Sequence, residues 1–184
     1  MSGLAGEYFA AGAQDNGTQY IGNASAGVNA SVETQGGDGA YTLFDQGSDK
    51  YYISNYVYNE NINIRPLPGS TVTARALDND NNGNNGAFIA PMVLDSNQDI
   101  LYSDYSNGTT YRVRRYTNIK SGPTGIIGRT DLTNLLLTAP PTALTVSPYT
   151  TTATTLLVGT RLGKLLKVSS ADTGTGIWSE ITGT

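Results

Sequence analysis

The chain has 184 residues, with 15 acidic and 11 basic side chains, no histidine and no cysteine. These absences exclude a Ser-His-Asp triad, a cysteine nucleophile and metal sites built from thiolate or imidazole ligands. The net charge of −4 argues against a nucleic-acid partner, because phosphate binding needs a basic surface. Any reaction must rely on carboxylates, lysines, tyrosines, hydroxyl groups or the backbone.

Three apolar runs of similar pattern recur along the chain, at 41–45, 90–95 and 143–148. Their turn-forming residues Asp45, Asp95 and Ser147 are 50 and 52 residues apart. A second and a third short run follow each of them, and a fourth run closes the last unit. Four short strands per repeat of this length are typical of a β-propeller blade. We therefore predict an all-β fold, a partial β-propeller of four-stranded antiparallel blades, with about three and a half blades in a single domain.

The first predicted unit, residues 1–35, is a half blade. Residues 7–20 have the pattern of second and third strands joined by an Asn-Gly turn, with no first strand ahead of them. Within this turn, Gln14, Asp15 and Asn16 have two interpretations. They form a capped hairpin, or Gln14 and Asn16 contact a ligand.

The second predicted unit, residues 36–86, begins with Asp38 directly ahead of a first strand. The loop that leads into a blade reaches one mouth of the central channel, where converging carboxylates can serve as the acid and base of a glycosidase. Asp38 is then the acid or base and Asp15 supports it, although the sequence shows no opposed partner. Tyr56 and Tyr58 in the same unit stack on sugars or pack between blades.

A polar tract ends this unit, with Asp78, Asp80 and Asn82 at alternate positions ahead of a glycine. Such oxygen donors are typical of the start of a calcium loop. Position 12 of that loop is Ile89 instead of the bidentate glutamate. We therefore predict an inter-blade loop with at most a weak calcium site, and no other cofactor.

Residues 87–139 form the third predicted blade and residues 140–184 the fourth. The fourth contains a tight turn in which Ser170, Asp172 and Gly174 precede Trp178. An aspartate in such a turn accepts bonds from backbone amides, glycine supplies a positive φ, and tryptophan packs the turn on the blade. We predict that these four residues stabilise the fold and take no part in chemistry.

The segment 170–178 resembles the Asp-box of sialidase-type propellers, with one extra residue and with glycine at position 176, where threonine is usual. Residues 11–18 and 36–41 look like segments of the sortilin-like Asp-box (BNR-type) propellers of exported Bacteroidetes proteins, and of related propellers of xyloglucanase-type glycoside hydrolases. In those hydrolases an aspartate that precedes a Gly-Gly segment serves catalysis, which Asp38 matches in part. The resemblance implies the propeller fold and leaves the activity open.

These observations lead to two main expectations of function. The first is a non-catalytic, exported propeller segment that acts at the cell surface as a binding or scaffolding module for protein or glycan. The alternative is part of a glycoside hydrolase acting on polysaccharide. A weaker third expectation is an adhesin-like array in which the blades are spacers. We further expect no membrane span, an extracellular location, and either self-association or missing blades from a longer chain.

Overall fold

The computed structural model describes residues 8–27, 30–68, 74–80, 83, 85–120, 126–149 and 151–182. These residues form an all-β structure of four antiparallel sheets, each made of strands that are consecutive in the chain. Helical structure in the described part is limited to the 3₁₀ turns Ala24–Ala26, Val57–Asn59 and Ala171–Thr173. The predicted all-β class is confirmed.

Each sheet is a simple meander. Sheet 1 has three strands, β1 (Phe9–Ala13), β2 (Gly17–Ile21) and β3 (Ser31–Gln35). Sheet 2 contains β4 (Gly39–Phe44), β5 (Tyr51–Tyr56), β6 (Ile62–Pro66) and β7 (Arg75–Asp78). Sheet 3 contains β8 (Met92–Asp95), β9 (Ile100–Asp104), β10 (Val113–Thr117) and β11 (Gly128–Leu132). Sheet 4 contains β12 (Pro141–Val146), β13 (Leu156–Thr160), β14 (Leu165–Ser169) and β15 (Ile177–Glu180).

Each sheet lies within one of the predicted ranges 1–35, 36–86, 87–139 and 140–184. The recurring apolar runs are the first strands β4, β8 and β12, and these contact one another in order along the series. In sheet 1, the turn at 14–16 resembles the turns between second and third strands of the other sheets. By that comparison β1, β2 and β3 correspond to second, third and fourth strands. The assignment of the ranges as blades of one propeller stays a prediction.

The core lies between sheets and consists of two apolar clusters. The cluster between sheets 2 and 3 includes Ile53, Ile62, Leu77, Leu101 and Tyr116, all fully buried. The cluster between sheets 3 and 4 contains Tyr102, Val113, Leu132, Leu156, Leu166 and Val168. Since side chains alternate across a strand, each middle sheet contributes one face to each neighbour.

Sheets 1 and 2 meet differently, through glycines and aromatic rings. A Cβ atom on Gly12 would lie 2.0 Å from the carbonyl oxygen of Ala40, so only glycine permits this close approach. Beside this contact of β1 with β4, the rings of Tyr20 in β2 and Tyr52 in β5 stack with centroids 5.3 Å apart. The Arg65 guanidinium lies 5.9 Å from the Tyr52 centroid. This joint is therefore more polar than the two core clusters.

No helix in the described ranges has the length and apolar character needed to cross a membrane.

Candidate ligand-binding groove

The turns between second and third strands share one end of the sheets with the loops that lead into the first strands. We call this end the hairpin end and these segments the leading loops. Backbone hydrogen bonds join turns to leading loops: Gly17 N–H to Gly37 O (2.6 Å), Tyr58 N–H to Phe88 O (3.1 Å), Gly86 N–H to Ser106 O (2.6 Å) and Arg161 N–H to Pro140 O (3.0 Å). The leading loops are thereby fixed against the turns.

A groove of about 770 Å³ opens at the hairpin end, between the turns of sheets 2, 3 and 4 and the leading loops of sheets 3 and 4. Sheet 2 supplies Tyr58, and the leading loop of sheet 3 supplies Phe88. The turns of sheets 3 and 4 supply Tyr111, Arg161 and Leu162. No single sheet builds the groove, because its walls come from three consecutive repeats.

Two aromatic rings form one wall of the groove. The rings of Tyr58 and Phe88 meet edge to face, with centroids 5.4 Å apart and planes at 76°. Both remain partly exposed, at 36% and 40% of their surface. They therefore present an apolar surface that a ligand can cover.

Buried hydrogen bonds hold the turn that carries Tyr58 in one conformation. Tyr58 and Asn59 both have positive φ values, 56° and 53°, which non-glycine residues rarely adopt. The buried Asn59 amide compensates for this conformation by donating to Asp104 O (2.5 Å) and to Ser103 Oγ (2.9 Å). Asn55 Nδ2 in turn donates to Asn59 Oδ1 at 2.8 Å. This network orders the aromatic wall before any ligand arrives.

Asp104 lies beneath the groove floor, with no exposed surface. Its carboxylate accepts hydrogen bonds from Ala87 N–H (3.0 Å) and Ser106 N–H (2.9 Å). Burial raises the pKa of Asp104 above its ordinary value, and the hydrogen bonds from Ser106 and Ala87 oppose this shift. The side chain thus clamps the leading loop of sheet 3 to the turn between β9 and β10. Asp104 was not predicted from the sequence, although an aspartate at the end of a buried strand and ahead of an Asn-Gly turn is a signal for it.

Asp15 and Asp38 are brought together at the hairpin end, at the joint of sheets 1 and 2. Asp15 N–H donates to Asp38 Oδ1 at 2.7 Å, and Asp15 is exposed with a φ of 61°. Gln14 and Asn16 are exposed in the same turn, where Asn16 Nδ2 donates to Gln14 O at 3.1 Å. Asp38 therefore caps this turn from the leading loop of sheet 2, whereas the hairpin interpretation placed the capping aspartate within the turn itself. These four residues are not among those that line the groove.

The two predicted sugar-stacking tyrosines have different surroundings. Tyr58 lines the groove. Tyr56 is half-buried, and its ring packs so closely on the leading loop of sheet 2 that a Cβ atom on Gly37 would lie 2.7 Å from it. This contact of Tyr56 is with the leading loop of its own sheet, so the interpretation of Tyr56 as a residue that packs between blades stays a prediction.

The predicted Asp-box residues lie at the opposite end of the sheets, in the turn between β14 and β15. Ser170 and Gly174 have φ values of 52° and 92°, and half-buried Trp178 packs against the cluster of sheets 3 and 4. Asp172 Oδ1 accepts from Thr154 N–H at 2.8 Å. This amide belongs to the turn between β12 and β13, whereas we expected Asp172 to bond amides of its own turn. The carboxylate therefore links two turns of the same sheet.

Two of the three residues predicted as calcium ligands, Asp78 and Asp80, already have partners in the fold. Asp78 is buried and its Oδ2 accepts from the hydroxyl group of Tyr116 at 2.7 Å. Asp80 Oδ2 accepts from the hydroxyl group of Tyr105 at 2.8 Å and from Asn85 Nδ2 at 3.0 Å. Asn82 lies outside the described residues. Within those residues, no group of three or more acidic side chains is arranged to hold a metal ion.

No protein-family model and no curated protein matches this chain.

Proposed function

We propose that the chain is a segment of an exported, sialidase- or sortilin-like β-propeller that binds a glycan or protein ligand at the cell surface without catalysis. The groove at the hairpin end is the binding site. The observation that carries this proposal is the combination of a preordered, partly exposed aromatic wall with a groove of about 770 Å³.

The chemistry of the groove favours a glycan as the ligand. The apolar faces of sugar rings pack against partly exposed aromatic side chains such as Tyr58 and Phe88. The Arg161 guanidinium at the rim offers several hydrogen-bond donors to hydroxyl or carboxylate groups of a sugar chain. Open clefts with an apolar wall and a few polar groups are typical of binding sites.

The distribution of carboxylates supports binding over hydrolysis. Glycosidases need two carboxyl groups on opposite sides of one bond, whereas Asp104 is the single acidic side chain among the described residues that line the groove. Its carboxylate is buried and accepts two backbone hydrogen bonds, so it has no access to a glycosidic bond. Asp38, the residue on which the hydrolase alternative depends, caps a neighbouring turn outside the groove.

Calorimetric titration with soluble oligosaccharides of xyloglucan and other β-glucans tests this proposal. Phe88→Ala should weaken binding about tenfold or more, because it removes half of the aromatic wall. Tyr149→Ala is the matched control, since this exposed aromatic residue lies in the turn between β12 and β13, at the other end of the sheets. Equal affinities for the parent and Phe88→Ala would contradict the proposed site. Binding of a protein ligand alone, lost in Phe88→Ala, would retain the site and assign it to protein recognition.

A further inference from the structure

Sheet 4 has one apolar face that no described residue covers. Leu165 in β14, Ile177 in β15 and Ile181 directly after β15 point to this face and are 40%, 70% and 43% exposed. The opposite face packs against sheet 3 through Leu166 and Val168, which are fully buried. An exposed apolar surface of this kind is typical of a site that another protein surface covers.

Comparison with sheet 3 shows which kind of surface would cover this face. Val113 and Leu132 are cross-strand partners in sheet 3, and sheet 4 buries them to 0% and 1% exposure. Leu165 and Ile181 have the same relation in sheet 4, where Ile181 N–H donates to Leu165 O at 2.8 Å. The free face of sheet 4 thus repeats the pattern that receives another sheet in sheet 3.

Sheet 1 has a free face at the other end of the series. Phe9 lies opposite Ile21 in the β1–β2 register, and Ala11 lies opposite Gln19. These residues point away from Tyr20, which packs toward sheet 2. Phe9 is 56% exposed, so this second face is also apolar in part. In position it corresponds to the face that sheets 2, 3 and 4 each present to the sheet that precedes them in the chain.

The charges on the two faces are complementary. Lys167 is exposed on the free face of sheet 4, at the third position of β14, and Glu33 is exposed on the free face of sheet 1. In sheet 3 the third position of β10 is Arg115, whose guanidinium points to sheet 4 and lies against its turn at Gly174. Neither Lys167 nor Glu33 forms an ion pair with a described residue.

From these observations we infer that a second copy of this chain covers both faces. The sheet 4 face of each copy packs on the sheet 1 face of its partner, with Lys167 of one copy near Glu33 of the other. Two such contacts, related by a two-fold axis, close a dimer of eight sheets, twice the four of one chain. Ring closure removes both exposed faces at once.

Light scattering combined with size-exclusion chromatography tests the dimer. The parent should have twice the mass of one chain at micromolar concentration. Lys167→Glu and Glu33→Lys should each weaken dimerisation about tenfold, and the double variant should restore it. Arg161→Glu, a charge reversal in the groove, is the control and should leave the mass unchanged. A monomeric parent, or a mass that rises continuously with concentration, would overturn the closed dimer.

Cysteine cross-linking tests the orientation, because the chain has no cysteine of its own. Under mild oxidation, a mixture of Leu165→Cys and Ala11→Cys chains should form mixed disulfide dimers. The control pairs Leu165→Cys with Gly108→Cys, since Gly108 is an exposed turn position of the central sheet 3 with open space around it. Equal cross-linking in the two mixtures, or preferential pairing of Leu165→Cys with itself, would contradict the head-to-tail contact. A partner of another kind on these faces would leave the purified parent monomeric and so overturn the inference.

Discussion

Asp104 makes the stability of the protein depend on pH in a specific direction. Burial raises the pKa of this carboxyl group in the folded state above its ordinary value of 3.8. The folded chain therefore holds the proton more tightly than the unfolded chain does. The stabilisation from this group is complete below the unfolded pKa and is lost as the pH rises through the folded pKa.

Asp104→Asn isolates this contribution, because an amide resembles the protonated acid in shape and carries no charge. Urea unfolding of parent and variant should be compared at several pH values from about 3 to 7. The free energy of unfolding of the parent should fall relative to that of Asp104→Asn as the pH rises. Parallel pH curves for the two proteins would show that the Asp104 carboxyl group is not perturbed by folding.

Asp172 should contribute to stability through a single amide. Asp172→Ala removes the acceptor for Thr154 N–H and should lower the free energy of unfolding by roughly 1 to 3 kcal/mol. Asp172→Asn keeps one acceptor oxygen and should cost less. Ligand affinity at the hairpin end should stay the same in both, as calorimetry can check. An unchanged urea midpoint for Asp172→Ala would refute this structural role.

Some residue-scale features were accessible from the sequence and others were not. The Asn-Gly pattern predicted a hairpin at 14–17, and the structure has β1 and β2 joined there, with a φ of 66° at Gly17. The contact of Asp15 with Asp38 spans 23 positions, and the sequence indicated their proximity only through the expected geometry of leading loops. The clamp by Asp104 was missed because its partners are the backbone amides of Ala87 and Ser106, and residue types do not show which amides approach a given carboxylate.

At the scale of the elements, Arg114 joins the outer strands of sheets 2 and 3. Its guanidinium forms a two-pronged contact with Asp131, through Nε at 2.6 Å and Nη2 at 3.0 Å. Nη1 lies 3.5 Å from Asp78 in β7, and the guanidinium carbon lies 3.5 Å from the Tyr105 ring centroid. Burial and the Asp78 charge raise the pKa of Tyr116, so its hydroxyl group stays protonated and donates to Asp78.

Arg114→Ala should lower the free energy of unfolding by about 2 to 4 kcal/mol, since it leaves Asp78 and Asp131 with fewer partners in a poorly hydrated contact between sheets 2 and 3. Arg114→Lys keeps the charge but loses the planar fork, and it should have an intermediate effect. Chemical denaturation measures both. A change below about 0.5 kcal/mol for Arg114→Ala, the usual range for surface substitutions, would mean that this contact does not depend on this network.

Calcium should have little effect on the polar tract after β7. Asp78 and Asp80 already accept hydrogen bonds from Tyr116 and Tyr105, and binding a cation would have to compete with these contacts. We expect the melting temperature to change by less than about 2 °C in millimolar calcium relative to a chelator. A larger calcium-dependent rise that disappears in Asp80→Ala would establish a calcium site in this tract.

The strands differed in how well the sequence revealed them. The first strands and the runs that follow them were predicted because buried strands are rich in branched and aromatic residues. The outer strands β3, β7 and β11 were not recognised. Their residues, such as Glu33 in β3 and Asp131 in β11, include many polar side chains, since a strand at the edge of a sheet has little apolar surface to bury.

At the scale of the whole molecule, the two ends of the sheets have different roles. The end that carries Asp172 links turns within and between sheets, as in the bond from Thr154 Oγ1 to Asp95 Oδ2 at 2.5 Å. The hairpin end carries the groove. The 50-residue and 52-residue spacing indicated the series of sheets, because periodicity is a property of the sequence itself. The groove was not predicted, since its walls are loops from three repeats whose approach depends on sheet packing.

The most direct test of non-catalytic binding follows one oligosaccharide in both binding and turnover. The parent is incubated with the tightest-binding β-glucan fragment from the titration, and the fragment is analysed by mass spectrometry over a day. We expect a stable binding isotherm that Phe88→Ala abolishes or weakens strongly, together with an intact oligosaccharide at every time point. Cleavage of the fragment by the parent, abolished in Asp38→Asn, would contradict the account and establish the hydrolase alternative.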